Sequence, residues 1–289
     1  MFGHTAVLID EVVQFLQPRP GGRFIDSTLG AGGHSRAILE QTAPGGTLLA
    51  IDQDESALAR AEAVLASFAP RIVFAHSNFR EVGPLAAEQG FLQCDGVLAD
   101  IGVSSMMVDD ASRGFSFMRE GPLDMRMDRN KPLTAADVVN MYSEKEIADI
   151  IYKFGEERRS RPIARSIVRS RPLSMTTDLV RAISRVAGGP RWGQIHPATR
   201  TFQALRIYVN DELNSLEKFL DSSMGVIRPG GRIVVITFHS LEDRIVKQKF
   251  RAPAVPGQVL TKKVVVASQE EVRTNPRARS AKLRAWERS

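Results

Sequence analysis

A chain of 289 residues is long enough to bury one large core or two of ordinary size. With 43% hydrophobic and 25% charged residues it has the composition of a globular protein, and no apolar run approaches the roughly 18 residues of a membrane span. The net charge of +6 suits an anionic partner without requiring one, and the lone cysteine, Cys94, excludes an internal disulfide and a cysteine-cluster metal site.

In chain order, residues 5–16 read as an amphipathic helix with Val7, Leu8, Val12, Phe15 and Leu16 on its apolar side. An apolar run, Arg23 to Asp26, leads into a glycine cluster, Gly30, Gly32 and Gly33, and then at once into a helical pattern reaching Gln41. Strand, tight turn and helix start are how open α/β sheets present backbone N–H groups to nucleotide-like ligands. Thr47 to Ile51 is a second buried-type strand ending on Asp52, followed by a helix over 55–68 and a third strand over 71–75. A short helix near 84–89 precedes a fourth strand over 96–99, ending on Asp100. This alternation predicts a doubly wound, mostly parallel α/β sheet.

From about Val108 the strand periodicity stops. Helices are expected over 135–141, 143–154, 163–169 and 177–185, which makes 108–197 an inserted helical subdomain between two parts of the sheet domain, 1–107 and 198–289. The sheet pattern resumes with a long helix over 199–226, a strand over 231–237 and a helix over 240–250. Residues 261–267 and 282–286 read as an antiparallel pair at the sheet edge, with the basic stretch Asn275 to Arg279 as a loop between them.

Ligands in such sheets sit beyond the carboxyl ends of the strands, where Asp26, Asp52 and Asp100 fall. Asp52 follows the first loop glycine by about 20 residues, the position of an acid that binds ribose hydroxyls, although a solvated strand-end aspartate is the plain alternative. Gly30 and Gly32 match the first two glycines of the dinucleotide fingerprint, but Ser35 stands at the third, which points away from a pyrophosphate-containing cofactor. The histidines His4, His76, His196 and His239 lack metal-ligand spacing and are expected in structural roles, so no metal site is expected.

Several segments then occur in order: DSTLGAGGHS from Asp26, DIGVSS from Asp100, RGFSF from Arg113 and GPLDMRMD from Gly121. They are followed by HPATRTFQALRIYVNDEL from His196, ITFHSLEDR from Ile236 and NPRARSAKLRAWER from Asn275. Together these closely resemble the bacterial 16S rRNA (cytosine-N4)-methyltransferase family, RsmH or MraW, over essentially the whole chain. The resemblance implies a class I S-adenosylmethionine methyltransferase fold, S-adenosyl-L-methionine as cofactor, and 16S rRNA in the small ribosomal subunit as partner. It carries cofactor binding onto Gly32, Gly33, His34, Asp52, Phe79 and Asp100. One departure stands out: the family's Pro-Gln after the two serines, where the Gln is a cofactor contact, is Met106-Met107 here.

Asp100 is the candidate catalytic residue, as an acceptor for the hydrogens of the cytosine amine. His34 has a plain alternative, a helix-start histidine bonding its own backbone, and Phe79 by periodicity alone is core. A base in a duplex cannot present N4 to an enclosed methyl donor, so the target is single-stranded or extruded. Phe115 and Phe117 are of a type that stacks on bases or packs a core. Arg113, Phe115, Arg165, Arg169 and Arg200 are the candidate RNA contacts, within an insertion that also carries Arg158, Arg159, Arg161, Arg171, Arg181, Arg185 and Arg191. The chain opens without a basic leader and apolar core, so the expected location is the cytoplasm, with no membrane partner. Dimerisation through the insertion is compatible with the sequence. An NAD-type oxidoreductase would use the same sheet and Asp52, and a non-catalytic RNA-binding protein would account for the arginines but not for the glycine loop and its acids.

Overall fold

The computed structural model describes residues 6–189 and 195–289. Thr5 of the first predicted helix, His4 and Arg191 lie outside the described residues. The chain forms two compact units, Met1–Gly102 with Leu213–Ser289, and Val103–Glu212.

The first unit begins with α1 (Ile9–Leu16), β1 (Arg23–Asp26), α2 (Gly33–Gln41), β2 (Thr47–Asp52), α3 (Glu55–Val64), β3 (Ile72–His76), α4 (Val82–Glu88) and β4 (Cys94–Asp100). Alternation along the strands divides their side chains between two cores. Ile25, Leu49, Ile51, Val97 and Ala99 belong to one, with residues of α4 such as Val82 and Ala86. Phe24, Leu48, Ala50 and Leu98 belong to the other, with Val12 and Leu16 of α1, Ile38 and Leu39 of α2, and Leu58 and Ala61 of α3. Both faces are therefore covered, as a parallel sheet requires. The helix expected to reach residue 68 ends at Val64 and gives way to a 3-10 segment, Ala66–Arg71, which contains Pro70.

The second unit contains α5 (Ser105–Asp109), α6 (Ala135–Met141), α7 (Glu144–Gly155), α8 (Ser160–Arg169), α9 (Thr176–Ala187) and α10 (Thr199–Asn210). Apolar residues at helical spacing, among them Val138, Ile147, Ile151, Ile163, Ile167, Leu179, Ile183 and Leu205, close one core. Thr134 and Ser143 start α6 and α7 with reciprocal capping boxes.

The single long helix expected over 199–226 is two helices, α10 and α11 (Glu212–Val226). The chain breaks at Asp211, which sits at φ 54° in the left-handed region. Just before it, the buried Asn210 amide accepts from the Met127 N–H at 2.8 Å and donates to the carbonyls of Met125 and Arg206, both at 2.8 Å. This ties the end of α10 to the irregular segment after Arg113, so α10 belongs to the second unit. The unit's limits are accordingly 103 and 212, not the expected 108 and 197. At its start the chain passes Gly102, at φ 133°, a conformation that a side chain rarely adopts.

The rest of the first unit runs from α11 through β5 (Ile227–Thr237), α12 (Ser240–Arg251), β6 (Gly257–Val259), β7 (Val265–Val266), α13 (Gln269–Thr274) and β8 (Lys282–Arg288). The strand order is β3-β2-β1-β4-β5-β8-β6, with β7 also pairing to β8. β1 to β5 are parallel, and β8 runs antiparallel to β5, β6 and β7. The expected edge strand over 261–267 shrinks to Val265–Val266, and β6 has no counterpart among the expected elements. The basic stretch after Asn275 is a 3-10 turn, Pro276–Ser280.

Candidate functional site

At the carboxyl end of the sheet, three neighbouring strands, β2, β1 and β4, end on Asp52, Asp26 and Asp100. Asp26 is fully buried. Its carboxylate accepts from the Ser35 hydroxyl at 2.6 Å and from the Thr28 N–H at 3.2 Å. Burial pushes this carboxyl upward, against the pull of the Ser35 hydroxyl, His34 and the Thr28 N–H. The residue at the third fingerprint position thus has a specific role, since Ser35 supplies the hydroxyl that a glycine could not.

The glycine loop crosses between these acids. Gly30 and Gly32 take positive φ values of 51° and 79°. Gly33 is limited by space instead, since a Cβ there would come within 2.9 Å of the Ala6 Cβ. The Gly30 N–H donates to Asp52 at 2.8 Å, and the Asp54 N–H donates to its other carboxylate oxygen at 2.9 Å. Desolvation pushes the Asp52 carboxyl up to about 6, although both N–H groups act to lower it. Each oxygen, with one N–H already bound, retains acceptor capacity for a further donor such as a ribose hydroxyl.

His34, in the first turn of α2, is 5% exposed, and its Nε2 lies 3.6 Å from Asp100 Oδ2. Burial opposes its charge, but the Asp100 and Asp26 carboxylates outweigh that and hold the imidazole above its ordinary range. It does not bond its own helix: neither ring nitrogen has a hydrogen-bond partner among the described residues. Ser27 Oγ and Asp100 Oδ1 are in the same condition. Buried polar atoms are ordinarily satisfied, so this cluster of orphans at adjoining strand ends has hydrogen-bonding capacity to spare for a polar group. The Asp100 N–H donates to the Thr28 hydroxyl at 2.6 Å, which links β4 to the loop after β1. Sequence reasoning misses this role for Thr28, because a threonine after a strand carries no signature of its own.

Phe79 is 9% exposed and packs edge-on against Phe219, with ring centroids 5.4 Å apart, so most of this ring is core. Beside it, Asn78 donates to the Gln53 side chain at 2.8 Å, bracing the residue that follows Asp52. His239 caps α12 by accepting from the Glu242 N–H at 3.4 Å.

In the second unit, the expected RNA contacts separate. Arg113 is corrected: it is 5% exposed, and its guanidinium donates to the carbonyls of Arg126 and Met127 at 3.0 and 2.8 Å, so it holds the irregular segment together. Phe115 lies half-buried against the helical core beneath the Arg113 guanidinium. Phe117 stacks on His196 at 4.5 Å, so packing explains this pair better than base stacking does. Met107, where the family has Gln, is buried in α5. Arg171 is likewise spent internally, on the carbonyls of Val139 and Tyr142. Arg165, Arg169 and Arg200 are exposed, as are Arg158, Arg161 and Arg181. Arg206, on the same helix as Arg200, makes a two-bond ion pair with Glu212 at 2.8 and 2.7 Å.

Replacing Ser35 by alanine leaves the buried Asp26 carboxyl without its shortest donor. The expected cost is about 1–3 kcal/mol, read as a lowered unfolding midpoint in denaturant. An unchanged midpoint would mean that the Ser35–Asp26 bond holds nothing in place.

The MraW methylase family model matches residues 1–289. Three similar proteins carry the name ribosomal RNA small subunit methyltransferase H. That of Acidobacterium capsulatum is 52% identical, with 99% of this chain and 98% of the relative aligned. That of Nostoc punctiforme is 54% identical over 99% and 94%, and that of Geobacter sulfurreducens 51% over 99% of each. With the family model spanning the whole chain and relatives about half identical over nearly their full length, the chain belongs to the MraW methylase family.

Proposed function

We propose that the protein transfers the methyl group of S-adenosyl-L-methionine to N4 of a cytidine in the decoding region of 16S rRNA, acting on the small ribosomal subunit in the cytoplasm. The observation that carries the reading is the set of orphaned polar atoms on Ser27, His34 and Asp100, beside an Asp52 with acceptor capacity to spare. The names of the relatives support ribosomal RNA as the substrate, and the resemblance in the motifs supports N4 of cytosine.

The residues present fit this cofactor. Asp52 would take the ribose hydroxyls, Gly32 and Gly33 permit close approach of the backbone, and His34 and Asp100 offer unspent polar atoms to the amino-acid end. When bound, the donor supplies a methyl group on a sulfonium that is already a good leaving group, so what the protein adds is alignment. The acceptor is the harder partner, because the N4 lone pair is delocalised into the ring. Acceptor capacity of Asp100 that the cofactor leaves free would take an N4 hydrogen and so help the nitrogen become tetrahedral as it attacks. The exposed Arg165, Arg169 and Arg200 are the proposed phosphate contacts; Arg113 and Phe115 are withdrawn from that role.

Incubation with unmodified small subunits and labelled cofactor, followed by nucleoside mass spectrometry, tests the reading. N4-methylcytidine in the 16S rRNA is the expected product, and its absence rules the function out. Binding of NAD in place of S-adenosyl-L-methionine would return the site to oxidoreductase chemistry.

The Asp52 carboxyl adds a pH dependence. A ribose hydroxyl donates best to the ionised form, so cofactor binding is full above the group's value of about 6 and is lost as the pH falls through it. At pH 5 about a tenth of the groups are ionised, so the calorimetric Kd should rise about ten-fold relative to pH 7.5. A wild-type affinity that is constant between those pH values would remove Asp52 from the ribose site.

A further inference from the structure

Outside the cofactor site, a cavity of about 290 Å³ opens between α12, the segment after β6, and β8. Its lining includes Lys247 and Arg251 from α12, Lys262 and Thr261 from the segment after β6, and Arg284 from β8. No carboxylate lines it. Arg284 is balanced by Asp243, at 2.7 and 3.3 Å, but Lys247, Arg251 and Lys262 make no ion pair among the described residues. A basic residue at the end of a helix normally answers the helix dipole, and Lys249 and Arg251 both stand there. That does not account for Lys247, which repeats the same charge one turn before Arg251, a spacing at which like charges destabilise a helix. Nor does it account for Lys262, which reaches the same cavity from another element. Thr261 is 3% exposed, and its oxygen accepts from the Ala285 N–H at 3.1 Å, so the hydroxyl proton is left to donate.

We propose that this cavity is a phosphate-binding site for the RNA substrate, carried by the sheet unit itself rather than by the arginine-rich helices. It rests on the reading of the protein as an RNA methyltransferase. Two ammonium groups, a guanidinium and a buried hydroxyl are the donor set that phosphate oxygens accept from. The cavity is much larger than one free phosphate ion and has room for a phosphate with its attached sugar. β8 stands two strands from β4, about 10 Å at ordinary strand spacing.

The test is the triple variant Lys247→Gln, Arg251→Gln, Lys262→Gln, all three residues being exposed. Methylation of unmodified small subunits is followed at several salt concentrations, with S-adenosyl-L-methionine affinity measured separately by calorimetry as a check on folding. The variant should bind the cofactor as the wild type does, and its KM for the subunit should rise ten-fold or more. The slope of log affinity for the subunit against log salt should become shallower by about 0.7, the value for one phosphate contact on a single strand. Inorganic phosphate should raise the KM of the wild type and leave that of the variant unchanged. Unchanged KM and slope, with N4-methylcytidine still formed, overturn the site and leave the enzyme reading intact. Phosphate binding lost in the variant without any change toward the subunit assigns the cavity to a free anion, and also overturns it. If the wild type methylates no RNA, the enzyme reading fails and this site fails with it.

Discussion

A carboxylate that ends a strand inside the protein is the constraint from which the cofactor end of this molecule follows. Asp26 is fully buried, so it must be met by donors, and they come from the two ends of one loop: the Thr28 N–H and the Ser35 hydroxyl. Holding both fixes the path between them, and that path is the glycine loop. Gly30 then delivers its N–H to Asp52 on one side, while the Thr28 hydroxyl takes the N–H of Asp100 on the other. Three neighbouring strand ends are joined through one loop, and its remaining polar atoms are left for a ligand.

The second unit meets a different problem. Beyond a 3-10 turn at Ala111–Arg113, its segment between α5 and α6 has no helix or strand ladder to satisfy its backbone, so side chains take over. Arg113 and Asn210 reach into it and occupy the carbonyls of Met125, Arg126 and Met127. The same Asn210 marks where α10 stops. The arginines of this unit thus divide into two groups, with Arg113 and Arg171 holding backbone and Arg161, Arg165 and Arg169 facing solvent.

Much of the sheet is legible in the sequence, because apolar runs flanked by glycine and ending on aspartate have few other interpretations. β1 matches its expected bounds residue for residue, and β2 and the helices α6 to α9 match to within a few positions. Long-range contacts hide the rest. Nothing near Asp211 announces a helix break, since the cause lies in the Asn210 bonds to a segment over 80 residues earlier. β6, three residues long, exists only because β8 pairs with it. Arg113 reads as an RNA contact because an arginine followed closely by two phenylalanines has that composition; only the structure shows that its donors are spent. Conversely, Ser35 reads as a defect in a fingerprint, and its partner explains it.

We infer that the orphaned atoms at the ends of β1 and β4 form the methyl-donor site. Asp100→Asn tests it most directly, because the change keeps the size of the side chain and removes its charge. Titration of S-adenosyl-L-methionine into both proteins should show one equivalent bound by the wild type and at least ten-fold weaker binding by the variant. Equal affinities would place the donor elsewhere.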